Sequence, residues 1–154
     1  MNKLIARFCV QPPAASAAAK WKGKGKDAGA DAAARWVTLY IEEAHPEDEW
    51  RLPASRVEEE LKANGDAPIT THADLQARLE AADLFVRRKD IQSAVYVDSM
   101  QNEVLDRYQA WPERLYVVMD GVVVYVGGIG PFHFDLGELE GWLERHTQAT
   151  SGLN

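Results

Sequence analysis

Five short apolar runs stand out along the chain: Leu4–Phe8, Trp36–Ile41, Ala94–Asp98, Leu115–Met119 and Val122–Val126. They are rich in Val, Ile, Leu and Tyr, and several lack clean alternation, which suits strands buried on both faces. Asp120-Gly121 joins the last two as a tight hairpin turn. Between the strands the spacing changes. Leu75, Leu79, Ala82 and Val86 recur every three or four residues and so line one face of a helix, with Thr71 and Asp74 as its capping box. Asp135 with Glu138 opens a final helix whose core face is Leu136, Leu139 and Leu143, with Trp142 beside it. A shorter helix over Ala54–Ala63 is stopped by Asn64-Gly65. The order of strand, variable segment, strand, helix, strand, hairpin and helix predicts a single α/β domain over 1–154. Its natural outcome is a three-layer α/β/α sandwich.

The segment 14–34 does not follow this scheme. It lies where a strand-to-strand crossover helix belongs, yet it is low in complexity and has no apolar stripe. Its alanines favour helix, while Gly23 and Gly25 each cost about 1 kcal/mol relative to Ala. Lys20, Lys22, Lys24 and Lys26 read as a solvated basic run, with a local anion or partner contact as the alternative. Residues 148–154 read as a frayed tail.

Composition narrows the function classes. The chain has 154 residues, 46% of them hydrophobic, enough for one real core. Lys and Arg number 17 against 24 Asp and Glu, a net charge of -7, which argues against a nucleic-acid or anionic-membrane surface. A single cysteine, Cys9, excludes an internal disulfide and a Cys-cluster metal site, and points to a cytoplasmic setting. Met1–Val10 is too short for a signal h-region, and Asp120-Gly121 splits the longest apolar stretch. The four histidines share no metal-ligand spacing, so neither a metal nor a bound cofactor is expected.

The strand Trp36–Ile41 runs into Glu42-Glu43-Ala44-His45-Pro46, and strand ends of α/β sheets are where ligands gather. If extended backbone continues, Glu43 and His45 share a face, a carboxylate beside an imidazole. The bland alternative is a pair of solvated acids and a turn histidine. Tyr40-Ile-Glu-Glu-Ala-His45-Pro, followed by Asp48 and Trp50, closely resembles a segment of the iodothyronine deiodinase family. The resemblance continues through Ile69-Thr-Thr-His72-Ala-Asp-Leu75-Gln-Ala-Arg78 and Val97-Asp98-Ser-Met100. Ala110-Trp111-Pro112-Glu113-Arg114-Leu115-Tyr116 and Gly127-Gly128-Ile129-Gly130-Pro131 follow in the family's order. It spans roughly 35–146.

That resemblance implies a thioredoxin-like fold of the peroxiredoxin and glutathione peroxidase arrangement, and reductive removal of iodine from iodothyronines. It implies Glu43, His45 and His72 around a nucleophile that follows the first strand in a Cys-Thr-Xaa-Pro-Pro setting. Here the corresponding stretch is Cys9-Val10-Gln11-Pro12-Pro13, so the nucleophile position falls on Gln11, a neutral amide that cannot attack iodine. Ile129 likewise stands where animal deiodinases carry a cation. Cys9 lies two residues earlier, a displacement of about 6 to 7 Å in extended chain. It is either a substitute nucleophile, its thiolate stabilised by an imidazolium or a helix N-terminus, or a buried core cysteine.

The expected activity is therefore a deiodinase-like thiol oxidoreductase that reduces a halogenated aromatic, or a peroxide or disulfide. Cys9 is its nucleophile, His45 its acid/base, Glu43 the orienting carboxylate and His72 a second proton donor or substrate contact. Trp111, Pro112, Ile129 and His133 edge the pocket, while His146 complements a helix dipole. The reductant is an external thiol donor, and a homodimer is left open. The alternative is a binding protein on the same fold that has lost its nucleophile.

Overall fold

The apolar runs pair into one mixed sheet in a computed structural model that describes residues 6–10, 35–52 and 56–151. Strands β1 (Ala6–Val10), β2 (Trp36–Tyr40), β3 (Ala94–Val97), β4 (Leu115–Met119) and β5 (Val122–Val126) lie in the order β3-β2-β1-β4-β5. Helices α1 (Arg56–Ala63), α2 (Leu75–Lys89), α3 (Glu103–Tyr108) and α4 (Leu136–Ser151) complete an α/β fold. The hairpin between β4 and β5 turns on Asp120 and Gly121, both left-handed with φ of 49° and 80°, the conformation that matches strand twist. Asn64 and Gly65 end α1 as expected, their N–H groups returning to the Leu61 and Lys62 carbonyls.

Two features of the sheet place the site. Tyr40 and Leu39 are neighbours in β2 and so face opposite sides. Tyr40 packs with Ala81, Ala82 and Phe85 of α2. Leu39 packs with Ile41, Ala110 and Tyr116, against which Val104, Leu105 and Tyr108 of α3 lie. On the α2 side, Leu115, Val117 and Tyr125 pack with Leu139, joined by Trp142 and Leu143 of α4. The second feature is the direction of β1. A crossover at 14–34 predicts parallel β1 and β2, but β1 is antiparallel to β2 and parallel to β4. Segment 14–34 itself lies outside the described residues; of the tail expected over 148–154, residues 148–151 continue α4 and 152–154 lie outside the described residues.

Helix boundaries differ from the pattern for local reasons. Asp74, not a Thr71 box, caps α2, its Oδ1 accepting from the Ala77 N–H at 2.9 Å. Thr71 is taken by Asp48 instead, donating to Oδ1 through its N–H at 2.7 Å and its hydroxyl at 3.1 Å. The buried stripe of α2 is Arg78, Ala81, Ala82 and Phe85, rotated from the expected one, and Leu75 is exposed. A buried arginine on that stripe hides its periodicity. Helix α3 was not expected at all, because six residues are too few to show a period.

Candidate functional site at the end of strand β2

Strands β2 and β3 run parallel, and the Asp98 N–H extends their ladder to the Tyr40 carbonyl at 2.8 Å. Beyond them the chain leaves the sheet at Ile41 and Asp98, opening the end where functional side chains collect. Tyr40 is buried there and donates its hydroxyl to Glu43 Oε2 at 2.8 Å. Burial first, and the Glu43 carboxylate second, push the Tyr40 phenol well above its usual range, so it stays a neutral donor. The His72 ring lies 5.9 Å from the Tyr40 ring and is likewise buried. Arg78 of α2, 2% exposed, donates through Nε to His72 Nδ1 at 3.3 Å. Its Nη1 donates to the Ser99 carbonyl at 2.6 Å and to Asn102 Oδ1 at 2.8 Å. A tyrosine, a carboxylate, an imidazole and a guanidinium thus form one buried polar cluster.

His45 sits elsewhere at the same end. The chain from 41 to 50 is a series of bends, so alternation does not bring Glu43 and His45 together as the pattern predicts. Glu43 holds Tyr40, while His45 Nδ1 lies 3.1 Å from the Trp50 carbonyl. A carbonyl only accepts, so Nδ1 is the donor and Nε2 is the nitrogen left to exchange a proton. The His45 ring meets Trp50 edge-on at 4.8 Å, and Trp50 stacks on Trp111 at 5.8 Å. The Trp111-Pro112 bond is cis and leads into β4. This aromatic surface is open, with Trp50 58% exposed.

Glu113 follows that turn and is buried, and burial pushes its carboxyl up to about 7. The Gly127–Pro131 loop folds over it, with the Gly130 N–H returning to the Glu113 carbonyl at 3.0 Å. A Cβ at Gly130 would stand 2.2 Å from the Glu113 carboxyl carbon, so only glycine allows this approach. Arg114 turns away, donating to the Gly127 carbonyl at 2.8 Å. Ile129 is exposed in the same loop, and His133 is exposed just beyond it. His146 stacks on Trp142 in α4 at 4.9 Å.

The nucleophile candidates fall differently. Gln11 lies outside the described residues. The backbone of Cys9 pairs with Trp36 and Val117, at the end of the sheet away from Tyr40 and Leu115. From Trp36 to Ile41, just past the end of β2, is five residue steps, about 16 Å in extended chain. The structure therefore brings Tyr40, Glu43, His72 and Arg78 into one cluster, sets His45, Trp50 and Trp111 at the same end, and leaves the Cys9 backbone apart. Among the described residues no group of three metal-ligating side chains converges, and no helix is long and apolar enough to cross a membrane. Tyr40 and Arg78 were missed as site residues. Tyr40 reads as a core strand residue, and Arg78's signal was its place on an otherwise apolar helix stripe.

The molecule is thus an α/β protein that gathers a buried acid, tyrosine, histidine and arginine at one strand end. Residues 28–147 match the family described as iodothyronine deiodinase, and the chain belongs to that family. It is 40% identical over 119 residues to thyroxine 5-deiodinase of Aquarana catesbeiana, covering 77% of this chain and 40% of that one. The corresponding protein of Sparus aurata is 41% identical over 115 residues, 73% of this chain and 38% of its own. The Homo sapiens protein is 34% identical over 119 residues, 76% of this chain and 35% of its own. The chain thus spans about two fifths of the length of these curated relatives. The family match begins after Cys9-Val10-Gln11-Pro12-Pro13.

Proposed function

We propose that this protein is a deiodinase-like thiol oxidoreductase that acts on a halogenated aromatic of the iodothyronine type. The observation that carries the reading is the Tyr40–Glu43–His72–Arg78 cluster, formed wholly by residues within the family-matched stretch. A thioredoxin-like, three-layer arrangement is part of the reading. Helices against both sheet faces support it, and the antiparallel β1 is its departure.

In the proposed reaction a thiolate attacks the iodine of an aryl iodide. The sulfur–iodine bond forms, the carbon–iodine pair stays on carbon, and that carbon takes up a proton. An external thiol then attacks the sulfenyl iodide, releasing iodide and leaving a mixed disulfide, which a second external thiol reduces. Cys9, the chain's single cysteine, is the proposed thiolate, and this reading requires β1 to leave the register that holds its backbone away from the cluster. His45 is the proposed acid/base, because its Nδ1 is held by the Trp50 carbonyl and its Nε2 is left to exchange. Glu43 holds the Tyr40 hydroxyl, and His72 contacts substrate. Trp111, Pro112, Ile129 and His133 border the site.

One observation favours a second reading, ligand binding without turnover: the Cys9 backbone register lies at the other end of the sheet from Tyr40. Iodide release from an iodothyronine with dithiothreitol separates the two. Turnover by the wild type that Cys9→Ser abolishes, and that His45→Ala slows by ~10²-fold, is the expected result. Saturable binding of the iodothyronine with no iodide released establishes the binding reading instead.

A further inference from the structure

Asn102 lies in the turn between β3 and α3, where its backbone is left-handed with φ of 55°. Asparagine is one of the few residues besides glycine that accept this conformation, and it persists where the surroundings impose it. Asn102 stands at the N-cap of α3, yet its side chain makes no cap bond there. Asp98 serves that turn instead, accepting from the Val104 and Leu105 N–H groups. The Asn102 amide is thereby released for other partners. Its Oδ1 accepts from Arg78 Nη1 at 2.8 Å, and its Nδ2 donates to Glu42 Oε2.

Those two partners are opposite in charge and in setting. Arg78 is buried on α2, and among the described residues its guanidinium donates to the Asp98 and Ser99 carbonyls, the Asn102 amide and His72 Nδ1, none of them a carboxylate. Glu42 is exposed, on the loop that carries Glu43 and His45. A guanidinium only donates and a carboxylate only accepts, which fixes the orientation of the amide between them. An amide is the group that suits both: one end meets a cation, the other an anion. An alkyl side chain at 102 would meet neither. The bridge therefore ties three parts of the chain that lie apart in sequence: the loop after β2, the first turn of α2 and the turn before α3.

We propose that Asn102 is a positioning residue whose amide links buried Arg78 to exposed Glu42, and so sets the Tyr40–Glu43–His72–Arg78 cluster against the loop that carries His45. Its effect on ligand binding rests on the site proposed above; the placement of Arg78 does not. The Glu42-Glu43 pair then divides between two buried groups. Glu43 accepts from the Tyr40 hydroxyl, and Glu42 reaches Arg78 through Asn102.

The Arg78 Nε–H resonance of the full chain, assigned by its loss in Arg78→Lys, reads the placement without ligand. Asn102→Ala is expected to speed exchange of that proton with water by about 10-fold or more, the scale of one hydrogen bond to a charged group. Glu42→Ala is expected to speed it less, and to add nothing in the Asn102→Ala background, because Glu42 acts through Asn102. Glu42→Gln keeps an acceptor and is expected to recover most of the loss seen in Glu42→Ala. Unchanged exchange in Asn102→Ala, or additive effects of the two alanine variants, overturns the proposal. Should Asn102→Ala not fold, equal exchange in Glu42→Ala and Glu42→Gln overturns it. Thyroxine affinity is expected to fall by about 10-fold in Asn102→Ala while amide exchange along α2 keeps its wild-type rates. Unchanged affinity with a freed Arg78 overturns the link to the site. A wild type that binds no thyroxine defeats the proposed function, and the Arg78 resonance then decides the placement by itself.

Discussion

Burial of Glu113 raises its carboxyl to about 7 from an ordinary 4.5, which makes it a source of pH dependence near neutrality. The native state binds its proton more tightly than the unfolded chain does. Stability is therefore fully present below about 4.5 and lost as pH rises to about 7. At about 1.4 kcal/mol per pH unit the whole span is at most about 3.5 kcal/mol, and screening by nearby water makes the loss smaller. Glu113→Gln is expected to remove that slope, seen as urea midpoints that no longer fall between these limits. Tyr40 makes a second prediction at this scale. Tyr40→Phe deletes the hydroxyl that Glu43 accepts and strips a buried carboxylate of a donor. A loss of about 1 to 3 kcal/mol in urea unfolding is expected. Glu43 and His72 were legible as motif residues. The partners that fix their chemistry were not, because hydrogen bonds such as that from Arg78 to His72 join groups six residues apart through the fold rather than by any pattern.

Helices and loops at the site are set by single carboxylates. Asp98 is buried at the end of β3 and accepts from the N–H groups of Ser99, Val104 and Leu105. It thereby satisfies the first turn of α3 from outside the helix, where the N-cap Asn102 makes no side-chain cap bond. Asp98→Ala is expected to cost about 2 kcal/mol. It should also speed amide exchange over Glu103–Tyr108 more than over α2, and equal acceleration in both helices would contradict this capping role. Asp48 does the same for a loop, joining 42–50 to 69–72 through Thr71, while the Glu47 N–H reaches the Ile69 carbonyl at 2.9 Å. These bonds hold the His45 turn against the His72 turn. Hydrophobic spacing located the strands, the hairpin and both long helices, although in α2 it picked a face rotated from the buried one and in α4 it included the exposed Leu136. It missed α3 and the true cap of α2, which depend on one acid each.

At the scale of the whole molecule, the direction of β1 decides how the chain's single thiol stands relative to the site. A nitroxide on Cys9 needs no other cysteine removed. It is expected to erase the amide signals of Trp36 and Val117, its cross-strand neighbours, and to broaden those of Glu43 and His72 far less. Complete loss at Glu43 with Trp36 spared would mean that β1 runs the other way.

The α/β class, five strands, the Asp120-Gly121 hairpin and the identity of the cluster's acid and histidine were all legible before folding. These follow from local spacing, turn chemistry and a motif that keeps its residues together. The direction of β1, the side-chain contacts of His45 and His72, and the burial of Arg78 and Glu113 emerge only in the folded molecule. Those outcomes are set by which surfaces meet across the sheet. An apolar run pairs in either direction at similar cost, and a charged side chain shows nothing of its partner until the fold encloses it.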